Sequence, residues 1–315
     1  MVRDKKLDGL KFIMIFLVVL GHIGYNDWGV HVNRLIYSFH MPVFIFLSGY
    51  FTIQNTSEEK QMRWLKQTFL IYIVAQLVNF VLTIGLELIP ALVRHEAFDT
   101  SMITWNILIA PRFALWYLVC LIYWRLAVWQ VFSRSNDFNL LYISCLLAIV
   151  SGIIPIDESF AFQRTFAFFP FFVSGMLFRK RNLMSELEKI PYTYAFGGLL
   201  IGLLIARYLP TYMPKFHYTA WHDPILRVVQ GSLGLYLSLL IIRLSRVDFV
   251  ERFAIYGGYT LWIYIGHTYL IIIGRKAFPF FGITFNLMTA TLLACVYCML
   301  CICLAKVYNS KIAIA

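Results

Sequence analysis

The chain has 315 residues, of which 60% are hydrophobic and only 14% charged, with a mean hydropathy of +0.73. A soluble domain carries nearer a quarter of charged residues, so this composition excludes an ordinary globular protein. It predicts an all-α, polytopic membrane helix bundle that forms a single domain over residues 1–315. The net charge of +11 does not indicate nucleic acid, because cytoplasmic loops of membrane proteins are normally rich in Lys and Arg.

Hydropathy predicts about ten membrane spans. They cover residues 10–26, 34–53, 67–89, 113–132, 139–154, 165–178, 192–209, 225–242, 254–273 and 284–306. With both termini in the cytoplasm, sixteen Lys and Arg lie on the cytoplasmic side and nine on the other, which is the orientation that the positive-inside rule favours. The same orientation places all seven histidines in the outer half or in outer loops, which suggests proton chemistry or polar recognition there.

The first two predicted spans carry ionisable residues at membrane depth. Asp8, Lys11 and His22 lie on the first, and His40 precedes Pro42 on the second. Lys11 and His22 are close to three helical turns apart, so they share one face at a separation of about 16 Å along the axis. Ionisable groups are costly in hydrocarbon and mark functional sites. The two polar faces are therefore predicted to meet.

Three later spans carry polar stripes at helical spacing. Their members are Tyr72, Gln76, Asn79, Thr83 and Glu87 on the third span, Arg227, Gln230, Gly231, Gly234 and Ser238 on the eighth, and Tyr256, Thr260 and His267 on the ninth. Interhelical packing is the favoured explanation for Thr, Ser and Gly. For Glu87, Arg227 and His267 a wet cavity is favoured.

Four cysteines lie close together in the last span. Cys295, Cys298, Cys301 and Cys303 superficially resemble a cluster-binding motif. No acidic or histidine residue accompanies them, so the prediction is packing inside a membrane helix rather than a metal site.

Five segments occur in an order that is typical of one enzyme family. They are LDGLKFIMIFLVVLGH, YSFHMPVFIFLSGYF, LWYLVCLIYWRL, RTFAFFPFFVSGMLF and IYIGHTYL. The first contains a basic residue and a histidine separated by ten residues, here Lys11 and His22. The sequence therefore resembles the bacterial integral-membrane acyltransferase-3 family, in its branch of fucose-4-O-acetylase-like proteins.

The resemblance implies a membrane O-acyltransferase of the bacterial cytoplasmic (inner) membrane. Such an enzyme takes acetyl from cytoplasmic acetyl-CoA and places it on a sugar hydroxyl of a cell-surface polysaccharide or of its lipid-linked precursor, without a metal and without nucleic acid. His22 would be the general base or a transient acyl carrier. Lys11 would face the donor or form a structural pair with Asp8, and His40 would orient the acceptor or assist His22.

The resemblance also gives roles to residues of later spans. Arg164 and Arg227 would bind acceptor hydroxyls or stabilise the developing oxyanion. Arg63 and Lys66 would attract the phosphates of the donor from the cytoplasm. The remaining predicted substrate contacts are Asp8, Glu87, Trp116 and His267.

Two other functions fit the intramembrane polar residues. Histidine, glutamate and arginine would equally serve a proton-coupled secondary transporter or exporter, although the sequence has no paired halves with matching broken helices. A non-catalytic partner of polysaccharide assembly is the third possibility. Both alternatives predict that no acetyl group reaches a glycan.

Overall fold

The computed structural model describes residues 4–23, 30–52, 57–94, 110–111, 113–131, 136–153, 159–209, 218–220, 222–278 and 286–314. Every regular element in these ranges is helical, which confirms the all-α class. The α-helices are α1 (Lys5–Ile23), α2 (Val30–Phe51), α3 (Glu58–Arg94), α4 (Trp116–Leu126), α5 (Asp137–Val150), α6 (Phe162–Lys180), α7 (Met184–Glu188), α8 (Tyr192–Tyr208), α9 (Asp223–Leu244), α10 (Asp248–Glu251), α11 (Thr260–Ala277) and α12 (Leu287–Ile314). A π-helix (Ala127–Val131) continues α4, and 3-10 segments Phe113–Leu115, Ser159–Ala161 and Arg252–Tyr259 precede α4, α6 and α11.

Each of the ten predicted spans overlaps one or more of these helices in its described part. Among the described residues, four helical stretches are long and apolar enough to cross a membrane, which makes this a helical membrane protein. They are Glu58–Gly85, Ser159–Lys180, Asp223–Leu244 and Leu287–Tyr308. The count of ten spans and the cytoplasmic position of both termini stay predictions.

The chain divides into two compact units, with the boundary inside α6. The first unit comprises Met1–Phe51 and Pro170–Ala315, and the second comprises Thr52–Phe169. In the first unit α1 packs against α2, α11, α12 and the 3-10 segment that precedes α11. Its core is formed by apolar side chains that include Leu7, Leu10, Met14, Val43, Phe46, Leu47, Phe178, Leu187, Ile242 and Val250.

Helices α2 and α6 cross with their backbones in contact. A Cβ atom added to Gly49 would collide with the carbonyl oxygen of Phe172, and one added to Gly175 would collide with the carbonyl oxygen of Phe46. Glycine at both positions allows this close approach, as small residues do in other membrane helix pairs. The Ser-Gly pairs of the two sequence segments thus mark a packing contact.

Ion pairs tie the start of α1 to the segments around α7 and α10. Arg246 binds Asp4 at 2.9 Å and Glu188 at 2.7 Å, and Lys6 binds Asp248 at 2.8 Å. The hydrogen bond from Lys6 and its positive charge lower the pKa of Asp248 below its ordinary value. This network fixes the end of α1 that lies opposite His22.

In the second unit, the polar stripe of α3 faces inward. Tyr72, Gln76 and Asn79 are buried, whereas Leu70 and Val81 on the same helix are exposed. The Gln76 amide donates to the carbonyl oxygen of Ala110 at 2.9 Å. These three members of the stripe therefore face the interior of the second unit.

The cysteines of α12 are free thiols, of which Cys298 and Cys301 are buried and Cys295 and Cys303 exposed. The described part of the chain contains no group of three or more His, Cys, Asp or Glu placed to share a metal ion.

Candidate active site

His22 is the penultimate residue of α1, the helix at the centre of the first unit. Its Nδ1 lies 2.9 Å from Nε2 of His267 on α11. The two rings are nearly parallel, with centroids 5.1 Å apart and an interplanar angle of 23°. The structure thus joins the predicted base to a residue that the sequence predicts only as a substrate contact.

The hydrogen bonds fix the tautomer of both rings. Nδ1 of His267 lies 2.9 Å from the carbonyl oxygen of Ile263, and because a carbonyl only accepts, this nitrogen carries the hydrogen. His267 has no exposed surface, and burial favours the neutral ring. Its Nε2 is then an acceptor, so Nδ1 of His22 donates to it. This leaves the lone pair of His22 on Nε2, where no described residue binds it.

His40 lies close to the same site on α2. Its Nδ1 is 2.7 Å from the carbonyl oxygen of Ile36, so by the same argument its Nε2 is an acceptor. The ring of Tyr37 meets His40 edge to face at 4.7 Å and lies 6.3 Å from the ring of His22. The structure therefore places the rings of His40 and His22 beside the same tyrosine ring.

Arg275 is a site residue that the sequence analysis missed. Its Nη2 donates to the carbonyl oxygens of His22 at 3.1 Å and Ile23 at 3.3 Å. Cations at a helix C-terminus bind the last carbonyl groups and interact favourably with the helix dipole. Arg275 lies about two helical turns after His267 on α11. This spacing continues the polar stripe that contains His267, so the sequence could have indicated Arg275 as a site residue.

Lys11 forms an ion pair with Asp8 on the same helix. Its Nζ lies 2.6 Å from Oδ1 of Asp8, whose side chain is 6% exposed, and 4.4 Å from the ring centroid of Phe51. The structural pair that the sequence allowed is present. Lys11 and His22 both lie on the single helix α1, and their spacing of eleven residues keeps the predicted shared face consistent with that helix.

Replacing Lys11 with methionine is expected to lower the yield of folded protein. The change leaves the buried carboxylate of Asp8 without its cation, at a cost of about 3 kcal/mol. The double variant Lys11→Met/Asp8→Asn removes both charges, so most of the yield should return. Size-exclusion chromatography in detergent measures the folded fraction, and Lys5→Met, which breaks an exposed pair with Glu251, is the control. A wild-type yield for Lys11→Met alone would contradict the argument.

The sequence profile of the acyltransferase domain matches residues 4–307. The chain belongs to the acyltransferase-3 family. The chain is also similar to nodulation protein NolL of Sinorhizobium fredii, with 29% identity over 189 residues. The aligned region covers 56% of the chain and 49% of NolL. The chain therefore spans about half the length of this curated relative. No solved structure matches it.

Two predicted arginines of the acyltransferase-3 chain lie over aromatic rings. The guanidinium of Arg227 is 4.8 Å from the ring centroid of Tyr218 in the first unit. In the second unit, Arg164 is 5.1 Å from the ring centroid of Trp116. Trp116 is buried and stacks on Phe168 at 5.4 Å. Each arginine therefore stands over an aromatic ring of its own unit.

The remaining predicted residues of this acyltransferase-3 chain lie on α3. Arg63 and Lys66 are exposed near the start of the helix, in an open depression that also involves Glu58, Glu59, Met62 and Gln67. The side chain of Glu87 lies outside the described residues.

Proposed function

We propose that this protein is a membrane O-acyltransferase that moves acetyl from cytoplasmic acetyl-CoA to a sugar hydroxyl of a cell-surface polysaccharide or its lipid-linked precursor. Membership of the acyltransferase-3 family supports the reaction class. The observation that carries the proposal is the acceptor nitrogen of His22, held in the base form by His267. The proposed location is the bacterial cytoplasmic membrane, which the protein would cross several times.

The proposed reaction needs one proton acceptor. Nε2 of His22 takes the hydrogen of the sugar hydroxyl while the oxygen attacks the thioester carbonyl carbon. A carbon–oxygen bond forms, the carbon–sulfur bond breaks, and His22 returns the proton to the leaving thiolate. The products are an acetyl ester and the free thiol of CoA.

His267 acts on this reaction through His22. During the transfer His22 carries a positive charge, and its Nδ1 continues to donate to the neutral His267. In this pair His22 corresponds to the base of a hydrolase triad and His267 to the orienting group, which holds the imidazole of the base in its working tautomer. Because His267 is itself fixed by the carbonyl of Ile263, the position of His22 is set in advance of substrate binding.

The other predicted residues keep the roles that the family resemblance implies for them. His40 offers a second acceptor nitrogen to the sugar, and Lys11 with Asp8 lies about three turns deeper on α1, toward the donor. The proposed acceptor contacts are Arg164, Arg227, Trp116 and Glu87, and the proposed donor contacts are Arg63 and Lys66.

Two substitutions of His267 test the pair. His267→Leu removes the acceptor of the His22 Nδ1 hydrogen, and kcat for acetyl transfer should fall by about 10- to 100-fold, the size of effect seen when a metal-bound histidine loses the partner of its other ring nitrogen. His267→Gln offers a carbonyl oxygen to the same hydrogen and should recover most of kcat. The KM for acetyl-CoA should stay unchanged in both variants.

The assay follows labelled acetyl from acetyl-CoA into surface glycan, in membranes that contain the protein. Ester-linked label that mild alkali releases supports the proposal, and export activity without labelled glycan contradicts it. Equal losses in His267→Leu and His267→Gln would contradict the tautomer argument alone, since it requires the glutamine to help.

A further inference from the structure

The second unit contains an arginine without an acidic partner. Arg125 lies on α4, in a predicted membrane span, and no described carboxylate is within ion-pair distance of it. Nη2 of Arg125 donates to Oε1 of Gln61 at 3.2 Å. Its buried Nε has no hydrogen-bond partner among the described residues. Charged side chains inside membrane proteins normally pair or mark the path of an ion or substrate.

The guanidinium is held flat. Its central carbon lies 3.8 Å from the ring centroid of Trp64, and Gln61, which orients its edge, is itself buried. A guanidinium whose face rests on an aromatic ring keeps its in-plane N–H donors for a ligand, and their fork matches two oxygens of one phosphate or carboxylate.

The surrounding charges favour an anion such as phosphate. The contact with Gln61 places Arg125 at the end of this unit where α3 begins. Two further cations, Arg63 and Lys66, lie exposed on the same turns of α3. Two carboxylates, Glu58 and Glu59, line the same depression, so the three cations leave a net positive charge at this end, which suits an anionic group. The π-helix that starts two residues after Arg125 is a feature that often accompanies functional sites.

We propose that Arg125, Trp64 and Gln61 form a phosphate-binding site, here called the Arg125 site. Arg125 supplies the paired N–H donors, Trp64 holds the guanidinium plane, and Gln61 orients it. The phosphate belongs either to a soluble nucleotide such as the acyl donor, in which case the inference rests on the proposed function, or to the headgroup of a phospholipid.

Binding measurements test the Arg125 site without any acyl transfer. The purified full chain in phosphatidylcholine nanodiscs is titrated with coenzyme A and with adenosine 3′,5′-bisphosphate by calorimetry. Arg125→Gln should weaken both affinities by at least about tenfold, since charge-assisted hydrogen bonds are lost. Arg125→Lys keeps the charge without the fork and should be intermediate. The control is Arg181→Gln, which removes one positive charge from an exposed position. This variant should bind both nucleotides like the wild type.

A second arm tests the lipid. This arm applies if the nucleotide probes bind equally well to the wild type and to Arg125→Gln. Native mass spectrometry then measures which lipids stay bound to protein taken from nanodiscs of mixed phosphatidylglycerol and phosphatidylcholine. Retention of phosphatidylglycerol by the wild type and by Arg181→Gln, but not by Arg125→Gln, assigns the phosphate to the lipid. Should Arg125→Gln fail to fold, the comparison of the wild type with Arg125→Lys replaces it in both arms.

Unchanged nucleotide affinity together with unchanged lipid retention overturns the Arg125 site. That result leaves the proposed function standing, provided that glycan still receives acetyl. Conversely, nucleotide binding that depends on Arg125 in a protein that never acetylates glycan supports the site and contradicts the proposed function.

Discussion

Replacing His22 with alanine is expected to reduce acetyl transfer to glycan by about 10²- to 10⁴-fold, the usual contribution of a positioned general base. The reason is the lone pair on Nε2 of His22, which the hydrogen bonds of His267 leave as an acceptor and to which no described residue donates. The rate is measured as kcat in detergent or nanodiscs, with labelled acetyl-CoA at saturating concentration.

The control is His222→Ala. His222 is exposed next to the start of α9 and lies outside the proposed machinery, so its removal should leave kcat unchanged. Folded yield should match the wild type for both variants. A His22→Ala protein that keeps the wild-type kcat, or a His222→Ala protein that loses as much, would contradict the assignment of the base.

The pH dependence follows from the same lone pair. Protonation of Nε2 removes the base, so kcat of the wild type should fall as the pH is lowered, and the residual rate of His22→Ala should lack this dependence. If His22 instead carries the acyl group, incubation with labelled acetyl-CoA and no glycan should leave label on the protein. A base predicts no labelled protein under those conditions.

Local spacing made one half of this site predictable. Lys11, Asp8 and His22 lie on a single helix, and the period of 3.6 residues places them without any knowledge of the fold. The ion pair of Lys11 with Asp8 follows from an i, i+3 spacing that the structure reproduces. Membrane depth then marked these residues as functional, because charges are rare there.

The other half depends on packing between distant segments. His22 and His267 are 245 positions apart, and no local pattern says that α1 and α11 bring their rings together. Arg275 meets the end of α1 only because these two helices are neighbours. The family resemblance drew attention to His267, but only the structure shows that His22 is its partner and which tautomer it adopts.

Helix boundaries show the same division between pattern and packing. Hydropathy predicted the first and third spans as 10–26 and 67–89, whereas α1 is Lys5–Ile23 and α3 is Glu58–Arg94. Hydropathy detects the apolar part of a helix, and the polar turns that extend it on the water side carry no apolar signal. In α1 the first turn holds Lys6, which binds Asp248, and Asp4, which binds Arg246, immediately precedes the helix.

Replacing Gly175 with alanine is expected to abolish most of the folded protein. The new methyl carbon would occupy the position of the carbonyl oxygen of Phe46, and a backbone group cannot move aside as a side chain does. The cost should exceed about 3 kcal/mol, the upper end of ordinary overpacking. Thermal unfolding followed by size-exclusion chromatography measures the loss.

Gly197→Ala is the matched control, because a Cβ atom at this position on α8 meets nothing within 4 Å. Alanine is the better helix former by about 1 kcal/mol, so this variant should be as stable as the wild type or more so. Similar behaviour of the two alanine variants would mean that α2 and α6 do not cross as closely as described.

The two crossing glycines should not act additively. Gly49 and Gly175 each contact the other's helix at one crossing. A larger residue at either position forces α2 away from α6. The second substitution then adds a side chain to helices that are already separated. The double variant should therefore lose less stability than the sum of the single variants, as neighbouring sites commonly do. The same displacement moves α2, which carries His40 and Tyr37. Any folded Gly49→Ala or Gly175→Ala protein should consequently transfer acetyl more slowly than its stability alone would predict, because packing at this crossing holds those side chains beside His22.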